Sequence, residues 1–296
     1  MTSALTDSAG VVRAAALRGL TTLPVEHWLT PNRIQQALRD RQSSVRLAAV
    51  QVLQRYPEGM TDGPALVLPL LADPAPRVVH AVRNLLEAQL PHQQEPLLQA
   101  VFDLNTPFVQ RAQLLSILTP LRDDAFNERL QQSCQQALGR VLYASSLGPR
   151  IQGEVNGALG EFLQRHINQL MADALRFAVL AVVTLAQQDD ELARRISRGL
   201  LSTHAREQGL AMEALSRLPQ RVLAGWVVRI AEAMSLPVSR RDELYRELTG
   251  KPLPQRVGLA QQLDLLGGTY LRAAAWLLQS DEVPTDSEIR RLWATT

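Results

Sequence analysis

The sequence predicts an all-α protein built from stacked antiparallel helix pairs, and three observations support this fold class. First, the stretch DSAGVVRAAALRGL, which starts at Asp7, is repeated as DRQSSVRLAAVQVL from Asp40, 33 residues later. Second, the apolar residues in each copy recur every three or four positions, which is the spacing of one buried helix face. Third, hydrophobic residues make up 46% of the chain but aromatic residues only 4%. The core must therefore come from Leu, Ala and Val, which suit close helix packing.

The repeated motif predicts one helix in each copy, preceded by a turn. Its aspartate lies in the turn, where a carboxylate can cap the N-terminus of the following helix. A third copy starts at Asp73 and a fourth, weaker copy starts at Asp103. The four copies predict helices near residues 10–20, 43–56, 75–90 and 107–119.

A shorter helical pattern lies between successive copies of the motif. One such segment is IQQAL, residues 34–38, which follows Pro31, a residue that favours the first helical position. Another is ALVLPLLA, residues 65–72. Each repeat is therefore expected to be a helix, a turn and a second helix. One such hairpin cannot bury its own apolar face, but a stack of hairpins can.

The repeated stretches resemble the second helix of a HEAT repeat, through the Asp, the Arg six residues later and the Ala-rich helix that follows. The resemblance implies an α-solenoid, a HEAT-like superhelix, in which Asp and Arg form a polar ladder between successive repeats. The ladder is then expected to pair Asp7 with Arg13 and Asp40 with Arg46. It should weaken at Asp73, because Val79 stands at the arginine position.

Weaker copies of the motif occur in the second half of the chain. ALRFAVLAVVTL starts at Ala174, AREQGLAMEALSRL at Ala205 and YLRAAAWLL at Tyr270. The last of these matches the first copy closely over residues 271–274. The repeat pattern therefore resumes and continues almost to the end of the chain.

We divide the chain into three regions. These are N-terminal HEAT-like repeats (1–120), an irregular, glycine-containing helical junction (121–170) and degenerate C-terminal HEAT-like repeats (171–296). The junction contains SSLGPR, which predicts a turn. Its glycines lie in a helical pattern, where each costs about 1 kcal/mol relative to Ala, so they indicate either close helix crossing, which we favour, or a hinge. A capping helix is expected over residues 284–293, with Asp286 or Ser287 as its N-cap.

The sequence points to no catalytic, metal-binding or cofactor-binding residue, and a protein without enzymatic activity is expected. The five histidines include no pair at i, i+4 spacing, and GxGxxG, GxxxxGK[ST] and GxSxG motifs do not occur. The only cysteine, Cys134, lies among Gln and Ala and is expected to be packed. Paired acids such as Asp123-Asp124 and Asp189-Asp190 lie at predicted helix starts, where carboxylates complement the helix dipole.

We expect a bacterial, cytoplasmic protein. A single cysteine forms no intrachain disulfide, which suits a reducing compartment. The N-terminal stretch has neither the basic start nor the apolar run of a signal peptide. The longest apolar stretch, residues 174–186, is shorter than a membrane span and contains Arg176, so we expect a buried helix rather than a transmembrane one.

The basic residues are unevenly distributed and almost all of them are arginines. The span from Arg194 to Arg256 holds twelve basic and six acidic residues, a net charge of +6, against +2 for the whole chain. These charges form either a solvated face with local ion pairs or an electropositive surface for an acidic partner, a membrane face or nucleic acid. The candidate partner-binding residues are Arg194, Arg195, Arg198, Arg240, Arg241 and Arg246.

The HEAT resemblance implies a non-catalytic scaffold that mediates protein–protein interaction, because stacked helix pairs present extended binding surfaces. The expected partner is a protein with an acidic surface, and the chain would act alone or as a module of a larger, membrane-associated assembly. Two alternatives stay open: a nucleic-acid-binding protein of the DNA alkylation repair type, and a chaperone similar to the phycobilin lyases. No small-molecule substrate is indicated.

Overall fold

The computed structural model describes residues 2–20, 31–56, 63–234, 237–254 and 257–279. All regular secondary structure in these segments is helical, which confirms the all-α prediction. The chain divides into two compact units, Met1–Leu121 and Arg122–Thr296. The expected capping helix, residues 284–293, lies outside the described residues.

The first unit contains the four helices that the repeated motif predicts. Its described α-helices are α1 (Gly10–Leu20), α2 (Pro31–Leu38), α3 (Ser43–Arg55), α4 (Pro76–Phe102) and α5 (Phe108–Leu118). Helix α4 consists of two helical segments joined at a kink, where Gln93 has the non-helical dihedral angles φ −127° and ψ 21°. The first of these segments, with α1, α3 and α5, matches the predicted positions.

The shorter helices between the motifs differ from each other in type. Helix α2 begins at Pro31, as predicted from the preference of proline for the first helical turn. Residues 65–72, in contrast, form no α-helix but contribute to two 3₁₀ helices, Gly63–Leu66 and Leu68–Ala72. Pro69 lies within the second of these, and a proline supplies no N–H for an α-helical hydrogen bond.

The repeated aspartates lie in the turns before the helices, but they are not the N-caps that the sequence suggests. The N-cap of α3 is Gln42 and that of α4 is Ala75. The aspartate two residues earlier accepts a hydrogen bond from the N–H of that residue: Asp40 from Gln42 at 2.9 Å and Asp73 from Ala75 at 2.8 Å. This Asx turn directs the chain into the helix and leaves the carboxylate with further lone pairs for a partner.

Packing in the first unit runs from one repeat to the next. Helix α3 contacts both α1 and α4, and α4 contacts α5. The face of α3 that the motif predicts to be buried is buried, since Val45, Ala48, Ala49 and Val52 are each 1% exposed or less. A fully buried Val or Leu side chain stabilises the fold by roughly 1.5–3 kcal/mol, so this face supplies much of the stability of α3.

The second unit is organised around two long helices that pack against each other, α6 (Asp124–Glu154) and α7 (Gly157–Leu185). The remaining described helices are α8 (Asp190–Leu200), α9 (Ala205–Ser216), α10 (Arg221–Ala233), α11 (Val238–Thr249), α12 (Leu259–Leu266) and α13 (Thr269–Gln279). Helix α6 contacts α10, α11 and α12 as well as α7. Packing in this unit is therefore not limited to sequential neighbours.

The region predicted to be an irregular junction is a regular helical hairpin. SSLGPR, expected to form a turn, lies inside α6, and the predicted boundary at 170/171 falls within α7. The chain reverses instead at residues 155–157, where Gly157 has a positive φ of 69°. A side chain at Gly160 would collide with the carbonyl oxygen of Val155. This turn therefore accounts for two of the glycines.

Helix α7 carries the longest apolar stretch of the chain. Its length and composition would suffice to cross a membrane, but 61% of its most apolar window is buried inside the protein. Phe177 and Val179 are fully buried, and Cys134 of α6 packs beside them with its Sγ 3.6 Å from the carbonyl oxygen of Ala178. Such a helix forms the core of the second unit and is weak evidence for a membrane span.

Candidate functional site

Three of the six candidate arginines form ion pairs within their own helices. The pairs are Arg194–Glu191 at 2.7 Å, Arg240–Glu243 at 2.6 Å and Arg246–Asp242 at 2.8 Å. The three arginine side chains are 49% to 67% exposed. Exposed pairs of this kind contribute about 0–1 kcal/mol to stability, so here the charges form a solvated face with local partners.

Arg241 is a structural residue and is not available to a partner. Its guanidinium donates to the carbonyl oxygens of Ser145 in α6 at 2.8 Å, Ala233 at 3.2 Å and Met234 at 3.1 Å. Ser145 lacks its usual helical donor because Pro149, four residues later, has no N–H. Ala233 and Met234 end α10, where carbonyls also lack helical partners. Arg241 thus joins α11 to α6 and α10, and burial lowers its pKa.

The other two candidates, Arg195 and Arg198, lie together in a groove between α8 and α9. Both side chains are exposed, and neither forms an ion pair or hydrogen bond with another described residue. The groove has a volume of about 480 Å³. Its apolar lining comes from Leu192 and Ile196 of α8 and from Leu210, Ala211 and Ala214 of α9. The groove therefore combines apolar surface with two arginines that pair with no other described residue.

The two helices of the groove are brought together at Gly199. A Cβ atom at this position would lie 2.8 Å from the Cβ of Ala211, so only glycine allows the close crossing. The start of α8 is fixed by Asp189, whose carboxylate accepts a hydrogen bond from the N–H of Leu192 at 2.8 Å. Leu210 remains 59% exposed. Its exposure could not be predicted, because the sequence does not show which side of α9 meets α8.

The charge around the groove is mainly positive. Glu207 is its only lining carboxylate. Arg206 of α9 is also exposed and lies one turn before Leu210 on the same face of the helix. Arg206 forms no ion pair with a described residue. Three arginines and one glutamate therefore lie near the exposed Leu210, and the net charge of this group is positive.

The ladder residues of the first unit pair one repeat further along than the sequence suggests. Arg13 donates its Nε and Nη2 to the two carboxylate oxygens of Asp40, both at 2.8 Å. Arg46 makes the same bidentate contact with Asp73, at 2.6 and 2.9 Å. The remaining Nη1 of Arg13 donates to the backbone carbonyl of Asp7 at 2.6 Å, and that of Arg46 to the carbonyl of Asp40 at 2.8 Å. The expected pairs therefore meet only through backbone carbonyls, while carboxylates join neighbouring repeats.

The ladder has a direction, because each arginine reaches forward to the next repeat. The expected weakening at Asp73 is wrong, since Asp73 accepts the second rung. The interruption comes one repeat later: Val79 replaces the arginine, and the carboxylate of Asp103 bonds within its own turn. At the other end, the Asp7 carboxylate accepts from the N–H of Ala9 at 2.8 Å, and no described arginine donates to it.

The rungs lower the pKa of both aspartates. For Asp40 the hydrogen bond from Arg13 is the main cause, and it outweighs the opposite effect of burial on the pKa. For Asp73 burial is the largest single effect and raises the pKa, but the hydrogen bonds from Arg46 and from the N–H of Ala75 reverse it. The four rung side chains are only 2% to 17% exposed, so water screens these pairs less than it screens the pairs on α8 and α11.

The described residues contain no group of three or more His, Cys, Asp and Glu side chains that could hold a metal ion. His166 packs between aromatic rings, with ring centroids 5.8 Å from Phe162 and 5.5 Å from Tyr270. Burial lowers the pKa of His166, and the nearby charge of Arg140 acts in the same direction. His166 is therefore a packed residue of the second unit.

Two of the four tryptophans lie in the described part of the chain. The guanidinium of Arg229 lies 4.5 Å from the ring centre of Trp226, so one face of this ring is covered by its own helix. Trp276 on α13 is 66% exposed. Trp28 and Trp293 lie outside the described residues. Trp276 is therefore the described tryptophan with a largely open surface.

Comparisons with protein-family models, with curated proteins and with solved structures found no significant match for this chain. The groove between α8 and α9 becomes the candidate site through its own geometry, which combines an exposed leucine, an apolar lining and arginines that pair with no residue in the described segments.

Proposed function

We propose that this chain is a non-catalytic HEAT-like binding module that recognises an acidic, amphipathic segment of a protein partner. Its first unit would be a short α-solenoid. The 33-residue repetition, the packing from one repeat to the next and the bidentate rungs from Arg13 to Asp40 and from Arg46 to Asp73 support this architecture. The second unit would supply the binding site, in the groove between α8 and α9.

The observation that carries the proposal is the placement of Arg195 and Arg198 beside Leu210. A guanidinium binds a carboxylate through two parallel hydrogen bonds, which favours an acidic partner. Leu210 and Ala214 are one turn apart on α9 and offer apolar contact to a helix with apolar residues at the same spacing. A partner helix with one acidic and one apolar edge would satisfy both parts of the groove.

The lining of the groove favours a protein segment over nucleic acid. Leu192, Ile196 and Leu210 offer apolar surface that a phosphate backbone cannot use. Duplex DNA binding usually rests on many phosphate contacts and falls steeply with salt, and this groove supplies only a few arginines.

Fluorescence anisotropy with a labelled probe tests the proposal. The probe is a designed helical peptide with glutamates on one edge and leucines on the other, and duplex DNA serves as a second probe. We expect the peptide to bind the full chain better than the DNA. Arg195→Glu with Arg198→Glu should weaken peptide binding by at least about tenfold, because both carboxylate contacts become repulsive. Leu210→Ser should also weaken binding, with no change in charge.

The matched control reverses the same amount of charge elsewhere, with Arg240→Glu and Arg246→Glu on α11. These arginines are exposed and already paired within their helix, so we expect little change in peptide affinity. An equal loss in both double variants would show that the peptide responds only to net charge and would contradict the groove as the site. Tighter binding of the DNA would favour the nucleic-acid alternative.

A further inference from the structure

Helix α1 is packed on one side only. Ala14 and Leu17 are 1% and 3% exposed, and Arg13, on the same side, reaches Asp40. The opposite side contains Val12, which is 40% exposed, and Ala15, which is also exposed. Helix α1 contacts α3 and the short 3₁₀ helix Thr2–Thr6. Because Val12 and Ala15 stay exposed beside both contacts, this second side of α1 is an open apolar helix face.

The same face is buried in helix α3. Counting 33 residues along the chain, Val12, Ala15 and Ala16 correspond to Val45, Ala48 and Ala49, which are 1% exposed or less. The aspartates follow the same pattern, because Asp40 accepts an arginine of the preceding repeat whereas Asp7 accepts none from the described residues. In α1 the apolar face is exposed, and the carboxylate of Asp7 accepts from no arginine in the described part of the chain.

Helix α13 presents the complementary side of the same contact. Its sequence LRAAAW aligns with VRAAAL of α1, so that Arg272 corresponds to Arg13 and Trp276 to Leu17. In α1, Arg13 and Leu17 face the next repeat. In α13 the Arg272 side chain is 67% exposed and Trp276 is 66% exposed. The carboxylate contact of Arg272 is a long one, 3.7 Å to Asp264, whose side chain is also exposed.

The remaining side of α13 is already occupied. Leu271, Ala274 and Ala275 are 4% exposed or less and belong to the core of the second unit. These are the positions that match Val12, Ala15 and Ala16 of α1. Helix α13 thus buries the side that α1 leaves open, and it leaves open the side that α1 buries.

We propose that α13 of one copy of this chain stacks on the open face of α1 of a second copy, with Arg272 donating to Asp7 as Arg13 donates to Asp40. Trp276 takes the position that Leu17 has against α3. The charges are complementary, and the two faces are different surfaces of the chain. The contact is therefore heterologous, so each added copy offers one further open face of each kind. This inference goes beyond the proposed function and uses no residue of the α8–α9 groove.

Sedimentation velocity of the full chain over a wide concentration range tests the inference. We expect the weight-average mass to rise with concentration beyond that of the monomer. Asp7→Arg alone and Arg272→Asp alone should each weaken association by at least about tenfold, because each brings like charges together at the contact. An equimolar mixture of these two variants should associate again, because every contact between unlike copies then pairs opposite charges.

A second pair of variants avoids the Asx turn of Asp7. Ala15→Arg and Trp276→Ala change exposed side chains and should leave the fold intact while weakening association. The matched control is Ala88→Arg, an exposed alanine of α4, which should associate like the unchanged protein. A mass independent of concentration would overturn the inference. So would equal effects of Ala15→Arg and Ala88→Arg, or a mixture of the charge variants that stays monomeric.

Discussion

Arg111, Arg140 and Arg241 each donate to backbone carbonyl oxygens at or near the end of a helix. Arg111 is 3% exposed and donates to the carbonyl of Val101 at 2.7 Å, at the end of α4. Arg140 donates to the carbonyl of Leu266 at 2.9 Å, at the end of α12. Arg241 serves three carbonyls at once. The planar guanidinium has five fixed donors, which suits helix C-termini with several unpartnered carbonyls.

Removing one rung should destabilise the first unit more than removing an exposed ion pair. We expect Arg46→Ala to lower the free energy of unfolding by about 3 kcal/mol, because Asp73, only 2% exposed, would lose its charged donor. Arg194→Ala, which removes an exposed pair within α8, should cost about 0–1 kcal/mol. Urea denaturation followed by circular dichroism measures both. An unchanged midpoint for Arg46→Ala would show that the rung contributes nothing.

The rungs should also make the stability of the first unit depend on pH. The pKa of Asp40 is lowered in the folded protein, mainly by the hydrogen bond from Arg13. Its contribution is therefore fully present above the unfolded pKa of about 4 and is lost as the pH falls through the lower folded value. We expect the midpoint of urea denaturation to fall on acidification below about pH 4. Asp40→Asn should lower the midpoint at neutral pH and flatten this acid dependence. An acid dependence that stays the same in the variant would assign the effect to other carboxyl groups.

At the scale of elements, helix α6 passes through a proline because a residue far along the chain replaces the missing donor. Pro149 leaves the carbonyl of Ser145 without a helical partner, and Arg241 of α11 donates to it. The hydroxyl of Ser145 itself bonds back to Leu142 at 2.7 Å. The local sequence SSLGPR therefore has turn propensity that a tertiary contact overrides.

A double-mutant cycle tests this link between α6 and α11. Arg241→Ala should lower the free energy of unfolding by about 2–3 kcal/mol, because it leaves several carbonyls unsatisfied. In the Pro149→Ala background the cost should be smaller by about 1 kcal/mol, since the alanine N–H then satisfies Ser145. Arg240→Ala, one residue earlier and exposed, is the control and should have little effect. Strictly additive costs would contradict a direct link between these two positions.

The positions of most helices could be predicted from sequence, but their contacts could not. The motif spacing located α1, α3 and α5, because apolar periodicity is a local property of the chain. The rung partners could not be assigned, since Arg13 is near Asp7 in sequence but meets the carboxylate of Asp40 in space. The same limit applied to the site: Arg241 could be separated from Arg195 and Arg198 only when it was known which helix faces meet, because its carbonyl partners lie on other helices.

Each of the two compact units of the molecule has a hydrophobic core of its own. The first unit is joined from repeat to repeat by its rungs, and the second is organised around α6 and α7. In a chain of repeats, stability is roughly the sum of repeat terms and contacts between neighbours. The central claim is therefore that a lost rung weakens the repeats on either side of it and not the rest of the chain.

Native-state hydrogen exchange of the full chain, compared between the unchanged protein and Arg46→Ala, measures where a lost rung weakens the structure. We expect faster exchange in α3 and in the first segment of α4, which the Arg46–Asp73 rung joins. We also expect unchanged exchange in α6 and α7 of the second unit. Faster exchange spread evenly through both units, or no change in α3 and α4, would show that the first unit is not held together from one repeat to the next.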